Sequence, residues 1–331
     1  MNNKIENYFP GANTPQGFFS YYKYLDIYTE KTYIIKGGPG CGKSTFMKKI
    51  AKKALEYNLS IEYHHCSSDN NSLDGVVIKE MKVAILDGTP PHTVDPKYPG
   101  AVEKIIDFSN FWDNKKLLNN KSQIISLTDK ITDYFNKTYY LLNKSKKNYD
   151  LKYKKSLGKE ERQKIKDEFQ QLSKNIFNND FKIKKNNSQK EYSERHLFST
   201  SLTPHGITSY LNEVNNIYKR NYKIKSNRID YNDYYFKKIS KKLKEDNFTL
   251  LYLHNFLEPK LISAMIIPEL NISITTNNYL DEISINEVKD ALTQLQKAKS
   301  THDELEKIYI SAMNFKKLDS FSEKFISNLF N

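Results

Sequence analysis

Hydrophobic and polar positions change their period several times along the chain. "KTYIIK" (Lys31 to Lys36) is a short β-branched and aromatic run, the pattern of a buried strand. A glycine-rich stretch follows, and then "STFMKKIAKKALEY", in which Phe46, Met47, Ile50, Ala54 and Leu55 recur at helical spacing. "KVAILDG" (Lys82 to Gly88) reads as a second buried strand that ends on Asp87. From about Asn119 to Tyr153 a helical period is kept by Ile124, Leu127, Ile131, Tyr134, Leu141 and Tyr149. Gly158 breaks it, and Ile165, Phe169, Leu172 and Ile176 resume it, which predicts an antiparallel helical hairpin. "IKKNNSQKEYSE" (Ile183 to Glu194) is polar and reads as a linker, while Asn286 to Phe330 is helical again, with "HDELEKIY" amphipathic.

The pattern also repeats. "IKGGPGCGKSTFMKKI" (Ile35 to Ile50) and "IKSNRIDYNDYYFKKI" (Ile224 to Ile239) are sixteen residues long and share both ends. At the same offset of 189 positions, Thr14, Pro15, Gly17, Ser20 and Tyr21 meet Thr203, Pro204, Gly206, Ser209 and Tyr210. Tyr63, His65 and Glu80 meet Tyr252, His254 and Glu269, and no gap is needed from Phe9 to about Asp87. Further on, "KSKKNYD" (Lys144 to Asp150) matches "KAKSTHD" (Lys297 to Asp303) at an offset of 153, so the second copy is shorter. The period is too long for a solenoid and marks a duplicated domain. The expected fold is α/β: two related P-loop NTPase-type units with mainly parallel sheets, a helical hairpin insertion and a helical C-terminal tail. The expected divisions are a P-loop unit at 1–112, a basic hairpin at 113–182, a linker at 183–195 and a degenerate unit at 196–331. "NYFPGA" and "HLFSTS" are candidate extra strands, exchanged between the units or not.

The glycine stretch carries the chemistry. Gly37, Gly38, Pro39, Gly40, Cys41, Gly42, Lys43 and Ser44 fit G-x-x-x-x-G-K-[ST] between a strand and a helix. Glycines let the backbone approach a triphosphate with its N–H groups turned inward, and the helix N-terminus adds a positive dipole end. Lys43 is expected on the β- and γ-phosphates, Ser44 on Mg²⁺ and Thr45 near the α-phosphate. Asp87, at a strand end, is the expected second metal partner. Without an [NT]-K-x-D motif, ATP is the better nucleotide, and Asp87 is followed by Gly rather than a hydrolytic Glu. In the second copy Gly37, Gly42, Lys43 and Ser44 become Ser226, Tyr231, Asn232 and Asp233, and Asp87 becomes Thr276. A ring at 231 and a carboxylate at 233 oppose phosphate, so one loop binds and its sister does not.

The two copies allow a subtraction. Residues kept in both (Thr14, Pro15, Gly17, His65, Glu80) are expected to serve the fold. Residues lost with the loop (His64, Asp69, Asp74, Asp87) are candidates for chemistry, and His92, where the alignment ends, joins them. Asp69, Asp74 and His92 follow strand ends and would line the crevice beside the phosphates. His64, His65 and Cys66 are consecutive, and neighbours on a strand face opposite ways, so they do not make a zinc site.

"KGGPGCGKST", "HHCSSDNNSLDGVVI", "AILDGTPPHTVDPKYPGA", "HLFSTSLTPHG" and "HDELEKIY" together give the chain a resemblance to a family of bacterial cytoplasmic proteins built of two tandem P-loop units, ATP-binding and ATPase- or nucleotide-kinase-like. The resemblance covers nearly the whole chain and implies ATP binding. In that family both units carry nucleotide loops, and this sequence departs from it in the second.

Composition narrows the rest. With 331 residues and 38% hydrophobic side chains the chain can bury two cores. Two cysteines, Cys41 and Cys66, make no disulfide framework, and Cys41 reads as loop filling. Nothing reads as a membrane span or a signal peptide, so a cytoplasmic location is expected. Most of the net charge of +13 lies between Asp113 and Arg195, a solvated face before it is a nucleic-acid surface, though the basic hairpin leaves that partner open. The first 112 residues hold no arginine, so a charge-stabilising arginine would come from Arg162, Arg195, Arg220 or Arg228, or from another subunit. Hydrolysis, transfer to a small-molecule or nucleotide acceptor, and an ATP-responsive switch acting on a protein partner all remain compatible with these residues.

Overall fold

The structure, a computed structural model, describes residues 4–90, 93–153, 157–179, 193–226, 228–276 and 285–331. In the first unit the strands are β1 (Ile5–Tyr8), β2 (Gly11–Thr14), β3 (Gly17–Ser20), β4 (Lys31–Lys36), β5 (Ile61–His65), β6 (Leu73–Ile78), β7 (Val83–Asp87) and β8 (Glu103–Asp107), with helix α1 (Lys43–Glu56) after β4. Helices α2 (Asn114–Asn119), α3 (Lys121–Tyr153) and α4 (Lys159–Asn179) follow. The second unit has β9 (Glu194–Thr203), β10 (Gly206–Ser209), α5 (Leu211–Ile217), β11 (Arg220–Ile224), α6 (Ile229–Glu245), β12 (Leu250–Asn255), β13 (Ala264–Ile267) and β14 (Ile272–Thr276), and closes with α7 (Ile285–Ala312) and α8 (Phe315–Phe330).

Two six-stranded sheets result, ordered β1-β5-β6-β7-β4-β8 and β10-β9-β12-β13-β14-β11. Strand direction is mainly parallel, as expected. The exceptions are β6 and its counterpart β13, which run against both neighbours, and the edge strand β10. The reason is local. A turn after β5, closed by Cys66 N–H to Ser72 O and Ser72 N–H to Asp69 O, sends the chain straight back. A second tight turn then places a left-handed residue at Lys82 (φ 52°), matched in the other copy by Asn271 (φ 56°). The candidate extra strands are not exchanged: β1 pairs with β5 and β9 with β12, each in its own unit.

Residues kept in both copies do the same structural work twice. Glu80 accepts from the Ser60 N–H at 2.7 Å, and Glu269 from the Thr249 N–H at 3.0 Å. Thr14 and Thr203 each donate to the carbonyl of the glycine three residues on. His65 Nε2 meets Asn7 Oδ1, and His254 Nε2 meets His196 Nδ1, at equivalent places. Between the units the contacts come in mirrored pairs. Phe9 and Phe198 exchange two backbone hydrogen bonds of 2.9 Å. Tyr21 packs on His254 with centroids 4.7 Å apart, and Tyr210 on His65 at 4.6 Å. Both copies thus meet about an approximate two-fold axis, and α3 lies along its counterpart α7 beside it.

Alternation along each strand divides its residues between two cores. Val76, Ile78, Val83 and Ile85 lie under α1, while Val77, Ala84 and Leu86 join Leu251, Leu253, Ala264 and Ile266 in a core shared by both units. The two helices after Gly158's break and before it are present, but their packing differs from a closed hairpin. α3 takes α7 as its main partner, and α4 lies on α6 and β11 of the second unit. There Ile165, Phe169, Leu172 and Ile176 are buried with Phe236, Ile239 and Leu243. Reciprocally, Leu318, Phe321 and Phe325 of α8 pack on Phe46 and Tyr33 of the first unit. Most of the expected linker lies outside the described residues, and its last two positions, Glu194 and Arg195, begin β9.

A buried ionic cluster also ties the units. Arg195 of β9 binds Glu62 of β5 through both carboxylate oxygens at 3.0 and 2.8 Å, and donates to the Tyr24 carbonyl at 2.6 Å. Lys79 reaches Glu62 at 3.2 Å. Against the burial that would raise it, Arg195 and Lys79 hold the Glu62 carboxyl well below its ordinary range. Removing one member of such a cluster strands a buried charge. Arg195→Met is expected to cost about 3–5 kcal/mol of unfolding free energy, read from urea denaturation. Adding Glu62→Leu should restore part of that loss; a double variant no better than the single one contradicts this account.

Candidate functional site

β4 and α1 are joined by a loop whose shape depends on two glycines. Gly40 and Gly42 take φ values of 65° and 88°, a region that side chains with a Cβ rarely adopt, and Gly42 caps the helix start at Lys43. Lys43 folds back over the loop and donates to Gly38 O at 2.7 Å, and its ammonium lies 3.5 Å from Asp87 Oδ2. Asp87 ends β7, the strand beside β4, and is fixed by Thr89, whose N–H and hydroxyl donate to Oδ1 at 3.0 and 2.6 Å. Ser44 Oγ accepts the Leu73 N–H at 3.0 Å, which holds the start of β6 against the start of α1. Thr45 stands next on α1.

Asp74 therefore sits inside a strand, not in the loop after one. Because β6 runs backwards, its first residues lie at the same sheet end as Asp87. Asp74 is 5% exposed; burial raises its carboxyl to about 6, against hydrogen bonds from Tyr22 and Cys66 and the charge of Lys43. Burial raises the Asp87 carboxyl as well, and the Asp74 carboxylate adds to the rise, against the Lys43 charge and the hydrogen bonds from Thr89. Two buried carboxylates face one lysine, with the Ser44 hydroxyl beside them. This oxygen-rich, negatively unbalanced set suits a hard divalent cation.

The remaining expected residues separate. Asp69 shapes the turn after β5, accepting from Asn71 N–H and Ser72 Oγ at 3.2 and 3.1 Å, and pairs with Lys299 of α7 at 3.5 Å. His64 belongs to the Glu62 cluster, fully buried with Nε2 3.4 Å from Glu62 Oε2, and is not at the loop. Cys41 is buried, and burial pushes its thiol upward, away from reactivity. His92 lies outside the described residues. The four arginines are held elsewhere: Arg195 on Glu62, Arg220 on Leu270 O, Arg228 on Asp230, and Arg162 on Leu157 O. Arg162 lies over Tyr231 of the second loop, not over the first.

The second copy shows how a phosphate loop is filled. α6 starts at Ile229, the position of Gly40, whereas α1 starts at Lys43. Without glycines in the left-handed region the chain winds into a further helical turn where the cradle would be. Asn232, in place of Lys43, donates to Ser226 O at 3.0 Å, as Lys43 approaches Gly37 O at 3.5 Å. Asp233, in place of Ser44, accepts the Ile262 N–H at 2.9 Å, the counterpart of Leu73. Ser263 and Thr276 stand for Asp74 and Asp87 and are joined by a 3.1 Å bond from Thr276 Oγ1 to Ser263 O.

Sequence reasoning missed the contribution of the tail. A Cβ at Gly38 would fall 2.4 Å from the Tyr309 ring, and one at Gly40 would fall 3.0 Å from Glu306 O. A Cβ at Gly42 would fall 3.1 Å from Leu318. α7 and α8 of the second unit thus lie against the first loop. The quoted "HDELEKIY" was the available signal, but nothing in one sequence says which unit it touches.

The buried Asp74 gives a testable pH dependence. Its folded value of about 6 lies above the unfolded 3.8. Its contribution is thus fully favourable below about pH 4 and is lost as pH rises through about 6. Asp74→Asn has no such loss. Between about pH 4 and pH 8 its unfolding free energy should gain on the wild type by up to about 3 kcal/mol, measured in urea without nucleotide or metal. A constant difference across that range would show that Asp74 is not a buried, ionising group.

A family model for the viral superfamily 1 RNA helicase core domain matches residues 33–94. The match runs from β4 to the segment after β7 and takes in the glycine loop, Asp74 and Asp87. No curated protein and no solved structure matches the chain. Over residues 33–94 the chain is thus similar to a core domain of the P-loop NTPase type.

Proposed function

We propose that the chain binds one Mg²⁺–ATP, at the first loop only, and cleaves its γ-phosphate by hydrolysis or transfer. The observation that carries the single-site reading is the helix start: α1 begins after the glycines and α6 begins in their place. Backbone N–H groups of Gly40 to Thr45 would cradle the phosphates, with Lys43 turned from the loop carbonyls and Asp87 to the β- and γ-phosphates. Ser44 and Asp87 would hold the Mg²⁺, which lowers the charge barrier at the phosphates, and Asp74 would stand behind them. Lys43 is already in contact with the loop carbonyls and Asp87, so ligand binding exchanges these contacts and does not begin from an open ammonium.

A second reading, an ATP-responsive switch, draws support from one feature. α7 and α8 lie against three loop glycines, so a change in loop shape reaches the second unit directly. The two readings share one site and differ in turnover. No helix among the described residues is long and apolar enough to cross a membrane.

Calorimetry with Mg²⁺–ATP is expected to give one site per chain. Lys43→Ala should abolish binding while the far-ultraviolet spectrum is unchanged. Asp87→Asn should weaken binding with Mg²⁺ by tenfold or more, about 1.4 kcal/mol, and leave metal-free binding nearly unaltered. Two equivalent sites, or full binding by Lys43→Ala, would reject the reading; phosphate release or its absence decides between enzyme and switch.

A further inference from the structure

The two halves contain a twin contact that separates structure from chemistry. On α7, Lys299 pairs with Asp303 one turn on and reaches Asp69 of the first unit. On α3, Lys146 pairs with Asp150 and reaches Glu258 of the second unit at 2.8 Å. At the offsets of 153 and 189, these are the same three positions of the two copies. A latch found at both the open and the filled loop serves the fold. The turn of α7 beside it is different. His302 and Glu306 stand where the first copy has Tyr149 and Tyr153.

Both belong to the first loop's surroundings. The Glu306 carbonyl is the backbone atom nearest to a Cβ on Gly40. His302 Nδ1 lies 3.6 Å from Glu306 Oε1, and one side-chain nitrogen or oxygen each of His302, Asp303 and Glu306 fall within 4.8 Å of one another. The charged groups facing His302 come from two elements: Lys299, Asp303 and Glu306 on α7 and Lys43 on α1. Burial, with Lys43 and Lys299, holds its imidazole below the ordinary histidine value, against Glu306 and Asp303. It is neutral near pH 7 and can take a proton.

On the reading of the first loop as a triphosphate site, we propose that His302, supplied by the second unit and oriented by Glu306, is the proton acceptor for the group that attacks the γ-phosphate. The oxygen of water, or of an acceptor hydroxyl, bonds to the γ-phosphorus as the bond from that phosphorus to the β,γ-bridging oxygen breaks. The electron pair leaves on ADP, and the nucleophile's proton passes to His302 Nε2 and then to solvent. Glu306 is a positioning residue, since it acts through the imidazole. The assignment explains why a site without a following Glu at Gly88 and without a nearby arginine can still direct proton transfer. It also gives the second unit a chemical task although its own loop is filled.

The test uses the full chain with ¹³C-labelled histidine, and His302→Gln assigns the resonance among the seven histidines. With a non-hydrolysable Mg²⁺–ATP analogue bound, the His302 pKa should rise by about one unit or more over the Mg²⁺–ADP state, because a γ-phosphate stands beside it. His302→Gln should lower turnover at least tenfold and change the analogue Kd less than about twofold. Glu306→Gln should move the acidic limb of the pH–rate profile, an effect that a packing role would not produce. Equal His302 titration in the two nucleotide states, or undiminished turnover of His302→Gln, overturns the assignment while nucleotide binding stands. Failure of the wild type to bind the analogue removes the triphosphate reading, and this one with it.

Discussion

Each half of the chain covers the other's loop helix, and the rest of the structure follows from that exchange. α1 rests on its own sheet, but its outer apolar surface is closed by Phe321 and Phe325 of α8, with Phe46 5.2 Å from Phe325. α6 is closed by α4 in the same way, with Phe236 5.5 Å and Tyr235 5.0 Å from Phe169. Several aromatic side chains are withdrawn from water at each place, worth on the order of 1.5–3 kcal/mol per fully buried large side chain. To deliver α8 to the first unit, α7 must cross the first loop; to deliver α4 to the second, α3 must cross beside it. The antiparallel α3–α7 pair and the mirrored Phe9–Phe198 exchange are the geometry that lets both crossings occur.

This exchange was the part least legible in the sequence. The offset of 189 placed Thr14 and Thr203, Tyr21 and Tyr210, His65 and His254, and Glu80 and Glu269 at equivalent contacts, because strands and loop helices are local and keep their register within a copy. Thr14 and Thr203, or Glu80 and Glu269, make the same hydrogen bonds at both positions. The apolar period of α4 was equally visible, but a period names a buried face and not the surface that buries it. Ile165 and Phe169 would have suited α3 as well as they suit α6. The reversed strand β6 was hidden for another reason. "LDGVVI" is buried along its whole length, and such a run has no direction until the turns at Asp69 and Lys82 are known.

The meeting of the glycine loop, Lys43 and Asp87 was legible because a strand–loop–helix of that spacing fixes where its lysine and the end of the neighbouring strand lie. Asp74 was found by subtraction but assigned to a crevice loop. It reaches the site from within a strand, by virtue of the same reversal. Asp69 was lost with the loop only in part, to Glu258, and the structure shows why: both carboxylates accept the lysine of the opposite long helix. A substitution of Asp by Glu keeps that ion pair, so partial conservation between the copies reflects the latch and not chemistry.

The filled loop explains how such a protein keeps two units with one set of glycines. A phosphate cradle is costly when it is not needed, since its left-handed glycines interrupt a helix and its polar groups wait for a ligand. Replacing Gly40 and Gly42 by Ile229 and Tyr231 adds helical hydrogen bonds and buries an isoleucine side chain. Losing Lys43 and Ser44 without compensation would leave backbone groups unsatisfied, and the Asn232 amide and the Asp233 carboxylate supply those bonds. Each of these replacements holds the second unit's loop region as a helix start packed on its own sheet. The second unit cannot be discarded, because the chain that leaves it, α7 and α8, forms one wall of the remaining loop.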